Sequence, residues 1–194
     1  MSAEKAQAGF LEDRHPPATL VELLRVRAER ESARLAYGFL EHGETLGPTR
    51  TFAELWERAQ RIAKELRRRC EPGDRALLLY PQGVDFIDAI FACFLCRVIA
   101  VPAYLPGAAQ SQSRHTAILY AIASSAKPKV VLTTASASEG LYAVLGRDPR
   151  TAALPFVATD QLTEPRGAPA GLVEITGEKT LRVKPAAPAG EGQG

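Results

Sequence analysis

The chain of 194 residues contains no asparagine and only three cysteines, one methionine and one tryptophan. Without asparagine there is no Asn-x-Ser/Thr acceptor, so N-glycosylation is excluded. Three cysteines in a chain this long do not make a disulfide framework, which argues against a small secreted scaffold. Long uncharged apolar runs are missing too. The strongest, LLLYPQGVDFIDAIFACFLCRVIAVPAY at 77–104, is cut by Asp88, Arg97 and Pro102. A membrane-spanning helix needs roughly 20 uninterrupted apolar residues, so no span is expected. The N-terminal stretch MSAEKAQAGFLEDRHPP carries acids and no apolar core, so it does not read as a signal peptide.

Excess charge is also absent. A formal net charge of +2 leaves no footprint for nucleic acid or an anionic membrane surface. The one basic cluster, Arg67-Arg68-Arg69, falls where a helix should end, and cations there complement the helix dipole. Together these absences describe a soluble, cytoplasmic protein. Arginine outnumbers lysine 18 to 6, a bias associated with GC-rich bacterial genomes.

What is present is an ordinary globular mix, 46% hydrophobic and 24% charged. Thr19-Leu20-Val21-Glu22 and Thr51-Phe52-Ala53-Glu54 are capping boxes, each opening a helix. The first predicts a face of Leu20, Leu23, Leu24 and Ala28; the second predicts a stripe of Phe52, Leu55, Trp56, Ala59, Ile62, Ala63 and Leu66. Between them, 35–40 reads as a strand and HGETLGP as a turn region. Continuous apolar runs at 75–80 and 98–104 predict buried parallel strands on either side of a helix at 84–96. A polar loop at 106–113, a helix at 114–126, a strand at 129–134, a helix capped by Ser136 and a strand at 154–158 follow.

Strands alternating with helices of this length mean βαβ units. The expected fold class is therefore α/β, a mostly parallel sheet with flanking helices. Residues 1–18 read as a flexible arm and 19–160 as the α/β domain. Residues 161–194 form a Pro/Gly/Ala-rich tail with a hairpin at 172–183 and a disordered end.

No catalytic constellation emerges from the residues alone. The turn YPQGVDF after the strand at 75–80 has one glycine, where a dinucleotide loop needs three at fixed offsets. Gly171 and Gly177 are separated by five residues and followed by Glu178, which fails the phosphate-loop pattern as well. Cys93 and Cys96 form a C-x-x-C near the C-terminal end of a helix. Redox pairs sit at the N-terminal end, where the dipole lowers a thiol pKa, so core packing is the expected role. His15, His42 and His115 are far apart and read as solvated surface. Asp85 and Asp88 read as first-turn acids complementing the dipole. Catalytic, cofactor and metal residues are all expected to be none. In a parallel sheet a pocket edge would lie at the C-terminal strand ends, near Tyr80, Pro81, Gln82 and Tyr104. These four read first as structural turn residues and second as that edge.

The wording of the elements nonetheless resembles a family. The carriers are TLVELL at 19–24, LAY at 35–37, TFAEL at 51–55, GDRALLLYP at 73–81, GVDF at 83–86, VIAVPAY at 98–104 and VVLTT at 130–134. These are similar to the N-terminal part of acyl-adenylate-forming enzymes, above all the fatty acyl-AMP ligases of lipid and polyketide pathways. The resemblance covers roughly residues 19–160. It implies ATP-dependent fatty acid adenylation, with Mg²⁺ and ATP bound by the full-length family and the acyl group passed to an acyl carrier protein. It also implies a Ser/Thr/Gly-rich phosphate loop ending in Pro-Lys-Gly, an adenine-binding segment and a C-terminal lysine. None of these stands in this sequence, so no cofactor is expected on this chain alone.

Three readings follow: a truncated or split N-terminal portion of such a ligase, inactive alone; a stand-alone remnant acting by protein–protein interaction; or an unrelated α/β binding module. The first two expect a second polypeptide or self-association to cover exposed apolar surface. The polar tail reads as a true C-terminus. Gln82 and Leu95-Cys96-Arg97 depart from the family's wording; at the position of Arg97 a glycine is usual, because it ends the helix in a left-handed conformation.

Overall fold

The computed structural model describes residues 17–105 and 114–163, together with two short strands at 173–174 and 182–183. The chain divides into two units, Met1–Leu162 and Thr163–Gly194. The expected N-terminal arm, apart from its last residues 17 and 18, the polar loop at 106–113 and the end of the tail lie outside the described residues.

Helix α1 (Leu20–Arg30) starts at Thr19, whose Oγ1 accepts from the Glu22 amide at 3.1 Å. The Glu22 carboxylate accepts from the Ala18 N–H at 2.8 Å. The buried face is Val21 and Leu24, and Leu20 is exposed. The expected face is thus rotated, because the helix meets its neighbour through its first-turn valine. Strands β1 (Leu35–Glu41) and β2 (Thr45–Thr51) form an antiparallel hairpin. The expected turn region shrinks to His42–Glu44, entered through positive φ at His42 (53°) and Gly43 (79°), as a primed hairpin turn demands. Gly47 and Pro48, turn residues by type, lie within β2. Proline lacks an N–H for the ladder, and the pairing slips between Gly38 and Leu40, where it stands.

Helix α2 (Phe52–Leu66) carries a complete capping box: the Glu54 amide donates to Thr51 Oγ1 (3.2 Å) and the Thr51 amide to Glu54 Oε2 (2.8 Å). That bonding holds the Glu54 carboxyl below its ordinary range. Leu55, Ala59, Ile62, Ala63 and Leu66 are buried along one stripe. Each large aliphatic side chain there contributes about 1.5–3 kcal/mol.

Four strands, β3 (Arg75–Leu78), β4 (Ile99–Pro102), β5 (Val130–Thr133) and β6 (Phe156–Ala158), form a wholly parallel sheet in the order β4-β3-β5-β6. Helices α3 (Asp85–Cys96), α4 (Arg114–Ala126) and α5 (Ala135–Leu145) connect them in turn. The chain steps from β3 to β4 in one direction, then back across to β5 and on to β6. Right-handed crossovers therefore put α3 on one face and α4 and α5 on the other. Side-chain alternation agrees: Ala76, Leu78, Val130 and Leu132 pack in one core with α2 and α3. Leu77, Leu79 and Val131 pack in a second core with Leu119, Ala123, Leu141 and Leu145.

Two further expectations change. The run at 98–104 is an edge strand, not a buried one, and Ile99 is 48% exposed. An apolar run reports hydrophobicity, not the number of its neighbours. Ser136 does not cap α5, which already begins at Ala135. The Ala135 N–H is instead taken by the Asp160 carboxylate at 2.8 Å, from beyond β6.

Helix α3 ends with Arg97 in the left-handed region (φ 58°, ψ 28°). Val98 N–H donates to Cys93 O at 3.0 Å and Arg97 N–H to Phe94 O at 3.1 Å. Those are the two bonds of a Schellman ending, formed without the glycine that usually occupies this position. In the second unit, β7 (Val173–Glu174) pairs antiparallel with β8 (Arg182–Val183); the turn at 177–178 lies outside the described residues.

Candidate functional site

In a doubly wound sheet the crevice for a ligand opens at the carboxyl ends of the strands where the winding reverses. Here the reversal lies between β3 and β5. The rim is made by Leu79 and Tyr80 after β3, Thr133 and Thr134 at the end of β5, and Thr159 after β6. These groups bond to one another. Thr133 Oγ1 donates to Leu79 O at 2.6 Å, and Thr159 Oγ1 reaches Thr133 O at 3.2 Å. The Tyr80 hydroxyl lies 2.9 Å from Thr159 Oγ1. Since Thr159 spends its single proton on the Thr133 carbonyl, Tyr80 is the donor in that pair. Tyr80 is only 9% exposed, and burial pushes its phenol well above the ordinary value, with the Thr159 bond a smaller opposing influence. The crevice floor is therefore a closed hydroxyl chain that ties three parallel strands together.

The four residues expected at a pocket edge separate. Tyr80 forms part of this floor, with its ring edge-on to Phe86 at 6.2 Å. Pro81 and Gln82 follow it and are exposed. Tyr104 lies beyond the edge strand, 85% exposed, with its ring 6.3 Å from that of His115.

The remaining candidates lie apart from this rim. Cys93 and Cys96 are buried in the α2–α3 core, where burial pushes the thiols up to about 12 and about 11. Cys96 Sγ donates to Ala63 O at 3.1 Å. Arg69 pairs with Glu65 at 2.6 Å, and Arg67 donates to Leu95 O at 3.2 Å, as helix-end cations do. His42 and His115 are exposed; His15 lies outside the described residues. Among the described residues no group of three or more His, Cys, Asp or Glu is placed to hold a metal ion.

One cluster is more than the sequence suggested. Asp85 and Asp88, read as dipole acids, face two arginines. Arg50 Nε donates to Asp88 Oδ2 (3.1 Å) and its Nη2 to Asp85 Oδ1 (3.0 Å). Arg58 makes the same pair of bonds, at 2.5 and 2.8 Å. Asp88 is fully buried. Burial pushes its carboxyl up, while the guanidiniums oppose that shift; the Arg58 guanidinium is shifted up in turn, its bonds to both acids outweighing burial. The available signal was an aspartate within an otherwise apolar helix, since a buried charge demands a partner. Nothing in linear spacing says that Arg50 and Arg58 supply it.

Comparison with known proteins gives these features a context. Residues 24–188 match the family model described as AMP-binding enzyme. The medium-chain-fatty-acid–[acyl-carrier-protein] ligase JamA of Moorena producens is 42% identical over 116 residues, 60% of this chain and 19% of that protein. The crystal structure of a fatty acid AMP ligase from Legionella pneumophila superposes with a TM-score of 0.66 at 28% identity, over 80% of this chain and 25% of that one. A fatty acyl-adenylate ligase from L. pneumophila, in complex with acyl adenylate and pyrophosphate, superposes with a TM-score of 0.64 at 26% identity, over 85% of this chain and 28% of that one. The chain thus spans about a fifth to a quarter of the length of the curated relatives it matches.

Proposed function

The chain belongs to the AMP-binding enzyme family, and from that premise we propose that it supplies the N-terminal α/β portion of a fatty acyl-AMP ligase. The reaction of the whole assembly is ATP-dependent adenylation of a fatty acid, with transfer of the acyl group to a carrier protein. The family match over residues 24–188, together with the similarity to a fatty-acid ligase over 116 residues, carries this reading. It also removes the alternative of an unrelated α/β binding module.

The described residues do not fit Mg²⁺ and ATP by themselves. The rim hydroxyls of Tyr80, Thr133 and Thr159 are engaged in bonds to one another and to backbone. The acids nearest to a cluster, Asp85 and Asp88, are neutralised by Arg50 and Arg58. The sequence has no Pro-Lys-Gly loop to stabilise the charge developing on a leaving pyrophosphate. No chemical step is therefore assigned to residues of this chain. Their role is to hold the parallel sheet whose carboxyl rim borders the site completed by other residues.

The partner of this reading is the remaining ligase polypeptide, continuous or separate, or a second copy of the chain. Leu35, Tyr37, Leu40 and Leu46 on the hairpin and Ile99 on the edge strand are 42–58% exposed, which supports a covered surface. We expect no fatty-acid-dependent pyrophosphate release from the purified chain, and association beyond monomer in sizing chromatography at micromolar concentration. Pyrophosphate release that depends on both ATP and fatty acid would overturn the scaffold assignment. A sharp monomeric profile would remove self-association. The non-catalytic remnant remains the second reading, favoured by the same exposed surface.

A further inference from the structure

The β1–β2 hairpin is attached in an unusual way. No residue of either strand is fully buried. Of its large apolar side chains, Leu35, Tyr37, Leu40 and Leu46 are about half exposed, and Phe39 is partly buried. Hydrophobic burial, the ordinary adhesive between layers, is therefore thin here. Two backbone bonds tie the hairpin's root, Phe52 N–H to Arg34 O at 3.0 Å and Ala53 N–H to Ser32 O at 3.1 Å. Arg50 adds a charged link. Its Nη1 donates to the carbonyl of Thr49 in its own strand at 2.9 Å. Its Nε and Nη2 reach across to the first turn of α3, at Asp88 and Asp85.

Arg58, on α2, binds the same two oxygens through the same two nitrogens. The acids consequently keep a forked, charge-assisted partner when Arg50 leaves. Removing a sole partner would strand a buried carboxylate with no cation beside it, and the duplicate avoids that here.

We propose that Arg50 is a releasable ionic latch, holding the β1–β2 hairpin to the amino terminus of α3 while Arg58 keeps a forked partner on Asp85 and Asp88 whether the latch is closed or open. The hairpin is then a local opening unit, able to lift from the α/β layers without unfolding them.

Native-state hydrogen exchange on the full 194-residue chain tests this. In the wild type, β1–β2 amides should exchange through openings that leave β3 and β5 protected. In Arg50→Met the hairpin amides should lose roughly tenfold or more in protection, the scale of a charge-assisted bond, with β3 and β5 unchanged within roughly twofold. Arg50→Lys, which keeps the charge but not the fork, should fall between. Arg58→Met should instead weaken α3 and β3 together with the hairpin. Hairpin and sheet amides exchanging as one unit in the wild type would overturn the proposal, a result that needs no variant to fold. So would unchanged hairpin protection in Arg50→Met.

Discussion

Arg97 offers a perturbation whose magnitude can be worked from backbone geometry. Its φ of 58° and ψ of 28° place an L-residue with a Cβ in the left-handed region. That conformation costs a non-glycine residue about 1–2 kcal/mol, and the Arg97 side chain is exposed. Arg97→Gly removes the cost while leaving both Schellman bonds, Val98 to Cys93 and Arg97 to Phe94, in place. Glycine's greater freedom in the unfolded chain returns roughly 0.4–1 kcal/mol. The net expectation is a gain of about 0.5–1 kcal/mol, or a rise in Tm of roughly 1–4 °C for a chain of this size. Guanidinium unfolding followed by far-UV circular dichroism, with Arg97→Ala as control, isolates the backbone contribution. Alanine keeps the Cβ and should stay within about 0.5 kcal/mol of wild type. Equal stability of the glycine and alanine variants would refute the reasoning, because it would mean that position 97 does not hold the left-handed conformation.

The closed hydroxyl rim predicts that Tyr80→Phe destabilises by about 1 kcal/mol, by loss of one buried neutral bond; unchanged denaturation midpoints would contradict it. The Tyr80 phenol is raised in the fold, so its contribution is fully present below the unfolded tyrosine value of about 10 and is lost as the pH climbs above it. Ultraviolet titration should show one of the five tyrosines failing to ionise until the chain unfolds. The three buried thiols should resist a disulfide reagent at pH 8 in the native chain and react together after denaturation; rapid native labelling of Cys93 would break the core-packing assignment.

How much of this was readable in advance follows from what linear spacing encodes. The α2 stripe and the βαβ run at 75–102 were legible because period and apolarity report a buried face. Strand β2 was not, since Gly47 and Pro48 are turn residues by every local measure and enter the ladder only where the pairing slips. The edge position of β4 depends on the order of strands, which VIAVPAY does not carry. The rim shows the same division. The strand end at β3 is legible, but the hydroxyls that bond Tyr80 and the Leu79 carbonyl lie 79 and 54 residues away, at Thr159 and Thr133. The charge cluster was half visible: the acids were seen, and the arginines that make them structural belong to other elements. Tyr104, beyond the edge strand, is exposed with its ring near that of His115, a neighbour that its place after a strand does not specify.

The central claim is that residues 19–160 are the interchangeable scaffold of a fatty acyl-AMP ligase. It is tested most directly by replacing the matching N-terminal segment of the JamA ligase, 42% identical here, with this segment. Fatty-acid-dependent acyl-adenylate formation is then measured against the same ligase lacking the segment. Activity restored to within roughly 10-fold of the parent, as expected for packing changes of about 1.4 kcal/mol, would support the assignment. A folded, soluble chimera that forms no acyl-adenylate would contradict it.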